Sequence, residues 1–281
     1  MKMKVNLFDD LTNHSKPAYG FRTFSPFVEP RCIEYFDTGQ DISVYTDKSL
    51  NRERVLGDPA KIKVAWIVEC REVHPFAYEQ ILQSEDVFDY IFTFDEELLH
   101  LGDKYIKTPI ASSRIIDRHS KVYKKRKNIS MIVSKKTWCS GHKYRHEIIS
   151  KLKNVHLLDL WGEAFKPMPQ GAKILALAEY RYSIVVENSK GKHYFTEKLI
   201  DCFRTGTIPV YWGSSGISEY FNMDGVICFD TIKQLDDLAT SLTKDRYDTM
   251  IGAVRENYKL ANKWTSMDDT FANNLKEITN G

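Results

Sequence analysis

The chain has 281 residues, of which 42% are hydrophobic and 28% charged. That balance suits a buried core and excludes a disordered chain, a collagen or a coiled-coil rod, and the length suits one large domain or two smaller ones. The formal net charge of +2 conceals a split: residues 118–153 hold 12 basic residues and one acid, Glu147, while 1–117 carry 14 basic against 20 acidic and 154–281 carry 14 against 17.

In chain order, 5–8, 32–36 and 42–45 read as short strands. The run 63–69 (KVAWIVE) reads as a longer, buried one. A short helix is predicted over 75–83, a strand over 90–94 (YIFTF) and an acidic helical turn over 95–100. The stretch 118–127 offers almost nothing to bury and reads as a charged linker whose lysines are mostly solvated. Beyond it the alternation restarts. Strands are predicted over 128–134 (NISMIVS), 155–159, 182–187 (YSIVVE), 207–212 (TIPVYW) and 226–229. Helices are predicted over 144–153, 172–178, 196–204, 231–243, 245–264 and 267–278.

Strands separated by single helices imply parallel β-α-β units with helices on both sheet faces. The expected fold class is therefore α/β, as two lobes with a cleft between them. The expected domains are 1–122, 123–265 and a helical tail over 266–281. In open α/β sheets ligands sit beyond the C-terminal strand ends, so chemistry is expected there.

No apolar run approaches the ~20 residues that a membrane helix needs, so no membrane insertion is expected. The N-terminus meets acids too early for a signal peptide, and the five scattered cysteines suit a reducing compartment. A cytoplasmic location follows as an expectation. Asn13 and Asn128 each open a glycosylation tripeptide, read here as chance. No Walker loop, dinucleotide glycine fingerprint or nucleophile elbow occurs, and no two aspartates stand two apart. His142 and His146 are spaced i,i+4 but form part of no recognisable metal-ligand motif, and a structural or solvated reading is favoured for both, so no metal site is expected. Cys139 and Cys202 read as small buried hydrophobes, and Tyr211 and Trp212 as core aromatics.

The densest polar cluster among apolar strands runs over 182–216, YSIVVENSKGKHYFTEKLIDCFRTGTIPVYWGSSG. A strand ends at Glu187-Asn188, a short loop follows, and Thr196 is placed to cap a helix whose first turn holds Glu197 and Lys198. A helix start favours anions through its free N–H groups, and Lys198 adds a full positive charge beside them.

These residues resemble the donor-binding signature of the α1,3/α1,4-fucosyltransferases, glycosyltransferase family 10. That signature has a strand ending Phe-Glu-Asn-Ser/Thr, then Tyr-Val-Thr-Glu-Lys, then Val/Ile-Pro-Val/Ile-Tyr-Trp-Gly. The chain reads Val186-Glu187-Asn188-Ser189, Tyr194-Phe195-Thr196-Glu197-Lys198 and Ile208-Pro209-Val210-Tyr211-Trp212-Gly213. Val186 and Phe195 depart from the pattern. Upstream, 134–145 (SKKTWCSGHKYR) is similar to a family loop whose following Arg binds the donor diphosphate, which carries over to Arg145. In the first block, 66–72 (WIVECRE) resembles the family's strand ending in a catalytic Glu, here Glu69, with Glu72 as rival.

The resemblance implies the GT-B architecture of two Rossmann-like lobes and an inverting transfer of fucose from GDP-fucose to a glycan hydroxyl, with no obligatory metal or other cofactor. It implies an acceptor-side lobe over 1–122 and a donor lobe over 123–265. Glu69 is expected as the base, against a bland pairing with Arg71 or Lys61. Arg145, Glu187, Asn188, Ser189, Tyr194, Thr196, Glu197 and Lys198 are expected to bind the donor. The absence of an anchor resembles the soluble microbial or virus-encoded members. Two alternatives stay open: a transferase of the same shape using another sugar nucleotide, such as GDP-mannose or UDP-xylose, and a non-catalytic glycan- or nucleic-acid-binding protein. In the basic stretch 118–127, Tyr123 is the one aromatic residue of the Phe, Tyr and Trp kind, so no nucleic-acid partner is expected.

Overall fold

The computed structural model describes residues 1–9, 23–25, 27–169 and 171–280. The Asn13 tripeptide lies outside the described residues. The chain divides into two compact units, one of residues 1–110, 192–194 and 266–281 and one of 111–191 and 195–265.

The first unit is built on strands β1 (Met3–Phe8), β2 (Ile33–Phe36), β3 (Ile42–Thr46), β4 (Ile62–Trp66), β5 (Tyr90–Thr93) and β6 (Tyr105–Lys107). Their order is β2-β1-β3-β4-β5-β6, and every neighbouring pair is parallel. Helices α1 (Arg52–Gly57), α2 (Pro75–Ser84) and α3 (Glu96–Leu99) connect them. The C-terminal helix, Met267–Asn280, joins this unit rather than standing apart as a tail. Its Phe271 stacks on Trp66 at 4.3 Å between ring centres and meets Phe92 at 4.7 Å, so it closes the core over the sheet.

Strand β4 ends earlier than the sequence suggests, at Trp66 rather than at Glu69. The reason is local. Ile67 N–H still donates to the Phe92 carbonyl, but the next two N–H groups donate to the Asp47 carboxyl. Glu69 thus lies in the loop beyond the strand. Helix α1 carries no sequence periodicity, because Val55 is its one buried residue; the Asn51 side chain caps it by accepting from Arg54 N–H.

The second unit holds β7 (Lys127–Ile132), β8 (Leu158–Trp161), β9 (Tyr180–Val186), β10 (Ile208–Trp212) and β11 (Ile227–Cys228), in parallel order β11-β10-β9-β7-β8. Helices α4 (Ser140–Lys151), α5 (Glu197–Thr205), α6 (Ile232–Ala239), α7 (Lys244–Thr249) and α8 (Ile251–Ala261) complete it. Central β9 is buried at six of its seven positions, which fits its mostly apolar sequence, with Arg181 at the one partly exposed position.

Four expectations change here. The helix expected over 172–178 is only a 3-10 turn, Lys173–Ala176, entered just after Gly171 at φ +79°. The strand expected over 155–159 starts later, because pairing of Ile129 with Leu158 and of Ile132 with Trp161 sets the register; Val155–Leu157 is a 3-10 turn. The linker is not loose. Lys125 is half-buried, and its ammonium donates to the carbonyls of Ala178 and Thr205 and to the Thr207 hydroxyl at 2.8–3.0 Å. Residues 111–122, expected in the first lobe, pack against α5. There Ser113 Oγ and Arg114 N–H donate to Asp201, and Arg204 donates to the Ile115 carbonyl and Asp117.

Candidate active site

In the second unit, the C-terminal end of β9 meets the starts of two helices. Glu187 follows the last residue of β9 and is fully buried. Its carboxylate accepts from Thr196 N–H at 2.9 Å, from the Thr196 hydroxyl at 2.7 Å and from Lys198 Nζ at 3.3 Å. Thr196 is the N-cap of α5, and its hydroxyl also accepts from Lys198 Nζ at 3.0 Å. The first turn of α4 reaches the same place, where Gly141 N–H donates to the Asn188 carbonyl at 2.9 Å.

Two glycines make this packing possible. A Cβ on Gly141 would stand 1.8 Å from the Glu187 carbonyl oxygen, and one on Gly213 would stand 2.7 Å from Glu187 Cγ. Neither contact is tolerated without a shift, and a Cβ on Gly213 would also stand 2.5 Å from the Tyr211 hydroxyl, so the Gly of the Tyr-Trp-Gly run leaves room for the Glu187 and Tyr211 side chains. Gly141 carries no comparable sequence signal and was missed.

Arg145, on α4, is buried at 6% exposure. Its Nε donates to the Val186 carbonyl at 3.0 Å, joined there by Nη2, and Nη2 also donates to Asn188 Oδ1 at 3.1 Å. The guanidinium fork expected to grip a phosphate therefore also buttresses the strand end. Glu197 opens α5 among three cations, with Lys173 at 3.5 Å, Lys198 at 3.7 Å and Arg114 at 3.8 Å. Burial alone would raise its pKa, but Lys198, Lys173 and Arg114 together hold it well below the usual carboxylate range. Ser189 is buried beside Asn188. His142, on the buried side of α4, lies 3.0 Å from Cys139 Sγ; burial first, then Arg145, Lys136 and Lys198, push its pKa down to about 4. Tyr211 is buried core, its hydroxyl accepting from Ser214 N–H, while Trp212 is partly exposed against Tyr144.

The structure thus gathers Arg145, Glu187, Asn188, Ser189, Thr196, Glu197 and Lys198 in one unit. Tyr194 belongs to the first unit, its ring 5.0 Å from that of Phe94. Glu69 also belongs there, in the partly buried loop after β4, and Glu72 is exposed in the following turn. Arg71 pairs with Asp95 and Glu97, and Lys61 with Asp41. Among the described residues, no group of three or more His, Cys, Asp or Glu is arranged to hold a metal ion, and no helix is long and apolar enough to cross a membrane.

Chemically, the second unit brings together groups of the kind that favour an anion. Two helix starts, of twelve and nine residues, converge with a lysine and an arginine at the C-terminal edge of a parallel sheet.

The chain is similar to known proteins in sequence and in fold. Residues 122–266 match the sequence profile described as Glycosyltransferase family 10 (fucosyltransferase) C-term. The chain is 23% identical to the alpha-(1,3)-fucosyltransferase FucT of Helicobacter pylori over 190 residues, 54% of this chain and 39% of the relative. It is 32% identical to 4-galactosyl-N-acetylglucosaminide 3-alpha-L-fucosyltransferase FUT6 of Homo sapiens over 88 residues, 30% of this chain and 24% of the relative. The matches therefore span less than half of these curated relatives. Among solved structures, an alpha1,3-fucosyltransferase with GDP superposes at a TM-score of 0.59 with 18% identity, covering 100% of this chain and 91% of that one. The fold is that of the GT-B glycosyltransferases, two α/β units of parallel sheet. With the family profile covering half of its residues, the chain belongs to glycosyltransferase family 10, the fucosyltransferases.

Proposed function

We propose that the protein is an inverting fucosyltransferase that moves fucose from GDP-fucose to a hydroxyl of a glycan. The observation that carries this is the junction at the end of β9, where Lys198, Arg145 and the starts of α4 and α5 surround Glu187-Asn188. Sugar transfer from a nucleotide diphosphate builds negative charge on the leaving diphosphate. In this reading Lys198 and Arg145, backed by the two helix starts, neutralise that charge, and the chemistry calls on no metal ion. Glu187 fixes the Lys198 ammonium and the α5 cap, while Asn188, Ser189, Thr196, Glu197 and Tyr194 orient the nucleotide and sugar. Glu69 takes the proton of the acceptor hydroxyl, which then attacks the anomeric carbon opposite the diphosphate. Support for the donor comes from the family profile and from the GDP held by the similar alpha1,3-fucosyltransferase. The five free cysteines fit a reducing compartment such as the cytoplasm.

Calorimetric titration with GDP-fucose, GDP, GDP-mannose and UDP-xylose tests the donor. The two fucosyl-relevant guanosine ligands are expected to bind most tightly, and Lys198→Ala to weaken both by tenfold or more. Preference for a uridine nucleotide would replace the donor assignment with that of a sister transferase.

A further inference from the structure

Asp47 stands out in the first unit for three independent reasons. It follows β3 with φ +30°, the one non-glycine residue at positive φ among those described. It is 1% exposed, yet its Oδ2 has no hydrogen-bond partner among the described residues. Its Oδ1 accepts from Val68 N–H at 2.9 Å and from Glu69 N–H at 3.5 Å. A strained backbone and an unsatisfied buried oxygen each cost stability, and both persist only where the surroundings hold them in place. Here the surroundings are the loop that carries Glu69.

The opposite side of the same residue is also held. The Tyr78 hydroxyl, reaching from α2, donates to the Glu69 carbonyl at 2.9 Å. The Tyr78 ring is 2% exposed, and the Arg71 guanidinium lies 4.5 Å from its centre while pairing with Asp95. Asp47 therefore holds the peptide just before Glu69, through the Val68 N–H, with a longer contact to the Glu69 N–H, while Tyr78 holds the Glu69 C=O from a different element.

We propose that Asp47 and Tyr78 are positioning residues that clamp the Glu69 peptide, so that its carboxylate is presented in one orientation to the acceptor hydroxyl. The clamp rests on the reading of Glu69 as the base. Neither clamp residue touches substrate; both act through the Glu69 backbone. Burial, ahead of the neighbouring Glu69 charge, pushes the Asp47 carboxyl up to about 8. An uncharged side chain with the same acceptor oxygen therefore suffices, and asparagine also tolerates positive φ.

The test is steady-state fucosyl transfer by the full chain carrying Asp47→Ala, Asp47→Asn, Tyr78→Phe or Glu69→Gln, with folding checked by thermal melting. Asp47→Ala is expected to lower kcat tenfold or more while the KM for GDP-fucose stays within twofold. Asp47→Asn should remain within threefold of the parent kcat, and Tyr78→Phe should lose about threefold or more. An Asp47→Ala enzyme within threefold of the parent, or an Asp47→Asn enzyme as impaired as the alanine variant, overturns the clamp. If Asp47→Ala fails to fold, Tyr78→Phe decides: parent-like turnover refutes the proposal. Glu69→Gln separates the two failures. Full activity there refutes the base and the clamp together, whereas an inactive Glu69→Gln beside an active Asp47→Ala refutes the clamp alone.

Discussion

Glu187 is the residue on which the candidate site turns. It ends a buried strand with a fully buried carboxylate, and the Thr196 N–H, the Thr196 hydroxyl and Lys198 satisfy it. Hydrogen bonds to a charged group are worth about 1.5–3 kcal/mol each, so the site is costly to disturb. In Glu187→Gln an amide NH2 must face donors where an acceptor oxygen stood. We expect a stability loss of about 2–4 kcal/mol in urea unfolding. GDP affinity should also fall at least tenfold, because Lys198 and the α5 cap lose their anchor. Unchanged GDP affinity in a folded Glu187→Gln variant would show that the junction is not the anion seat. The sequence made Glu187 and Lys198 legible, because a polar strand end before a capped helix is a local pattern. It did not reveal why Gly141 must be glycine, since the clashing atom is a carbonyl oxygen 46 positions later. Nor did it show Asp47, whose partners lie on a neighbouring strand end.

At the scale of elements, legibility followed burial. Strands such as β9 and β10 are buried on both faces, and their β-branched runs marked them to within about two residues. Elements whose limits are set by partners were misread. Strand β4 stops where a side chain replaces the next strand as acceptor, and β8 starts where β7 dictates. Lys125 looked solvated because charge density alone cannot show that three oxygens converge on its ammonium. Helix α4 yields a pH prediction. His142 is held neutral in the fold, with its pKa at about 4, whereas an unfolded histidine binds its proton below ~6.5. The unfolded state then holds more protons between these values, so stability falls as pH drops through that window. Between pH 7.5 and 5 the loss should be about 2 kcal/mol, at ~1.4 kcal/mol per pKa unit. His142→Gln should flatten that dependence in urea midpoints measured across the same range. An equal slope in both proteins would contradict the burial argument.

For the molecule as a whole, the split in charge noted at the start resolves into two roles. Part of the basic band is structural, as with Lys125 under the end of α5 and Lys127 opening β7. Its C-terminal part carries Arg145 to the strand end where the donor diphosphate is proposed to sit. Each unit contributes a different chemistry to the proposed reaction: the first unit a carboxylate on a clamped loop, the second a cationic junction. The central claim is that these amount to inverting fucosyl transfer. It is tested most directly by incubating the protein with GDP-β-L-fucose, an array of glycan and peptide hydroxyl acceptors and excess EDTA, and reading the product by NMR. The account predicts release of GDP with an α-linked fucoside, undiminished by the chelator. A β-linked product, or transfer that vanishes when EDTA is added, would contradict it.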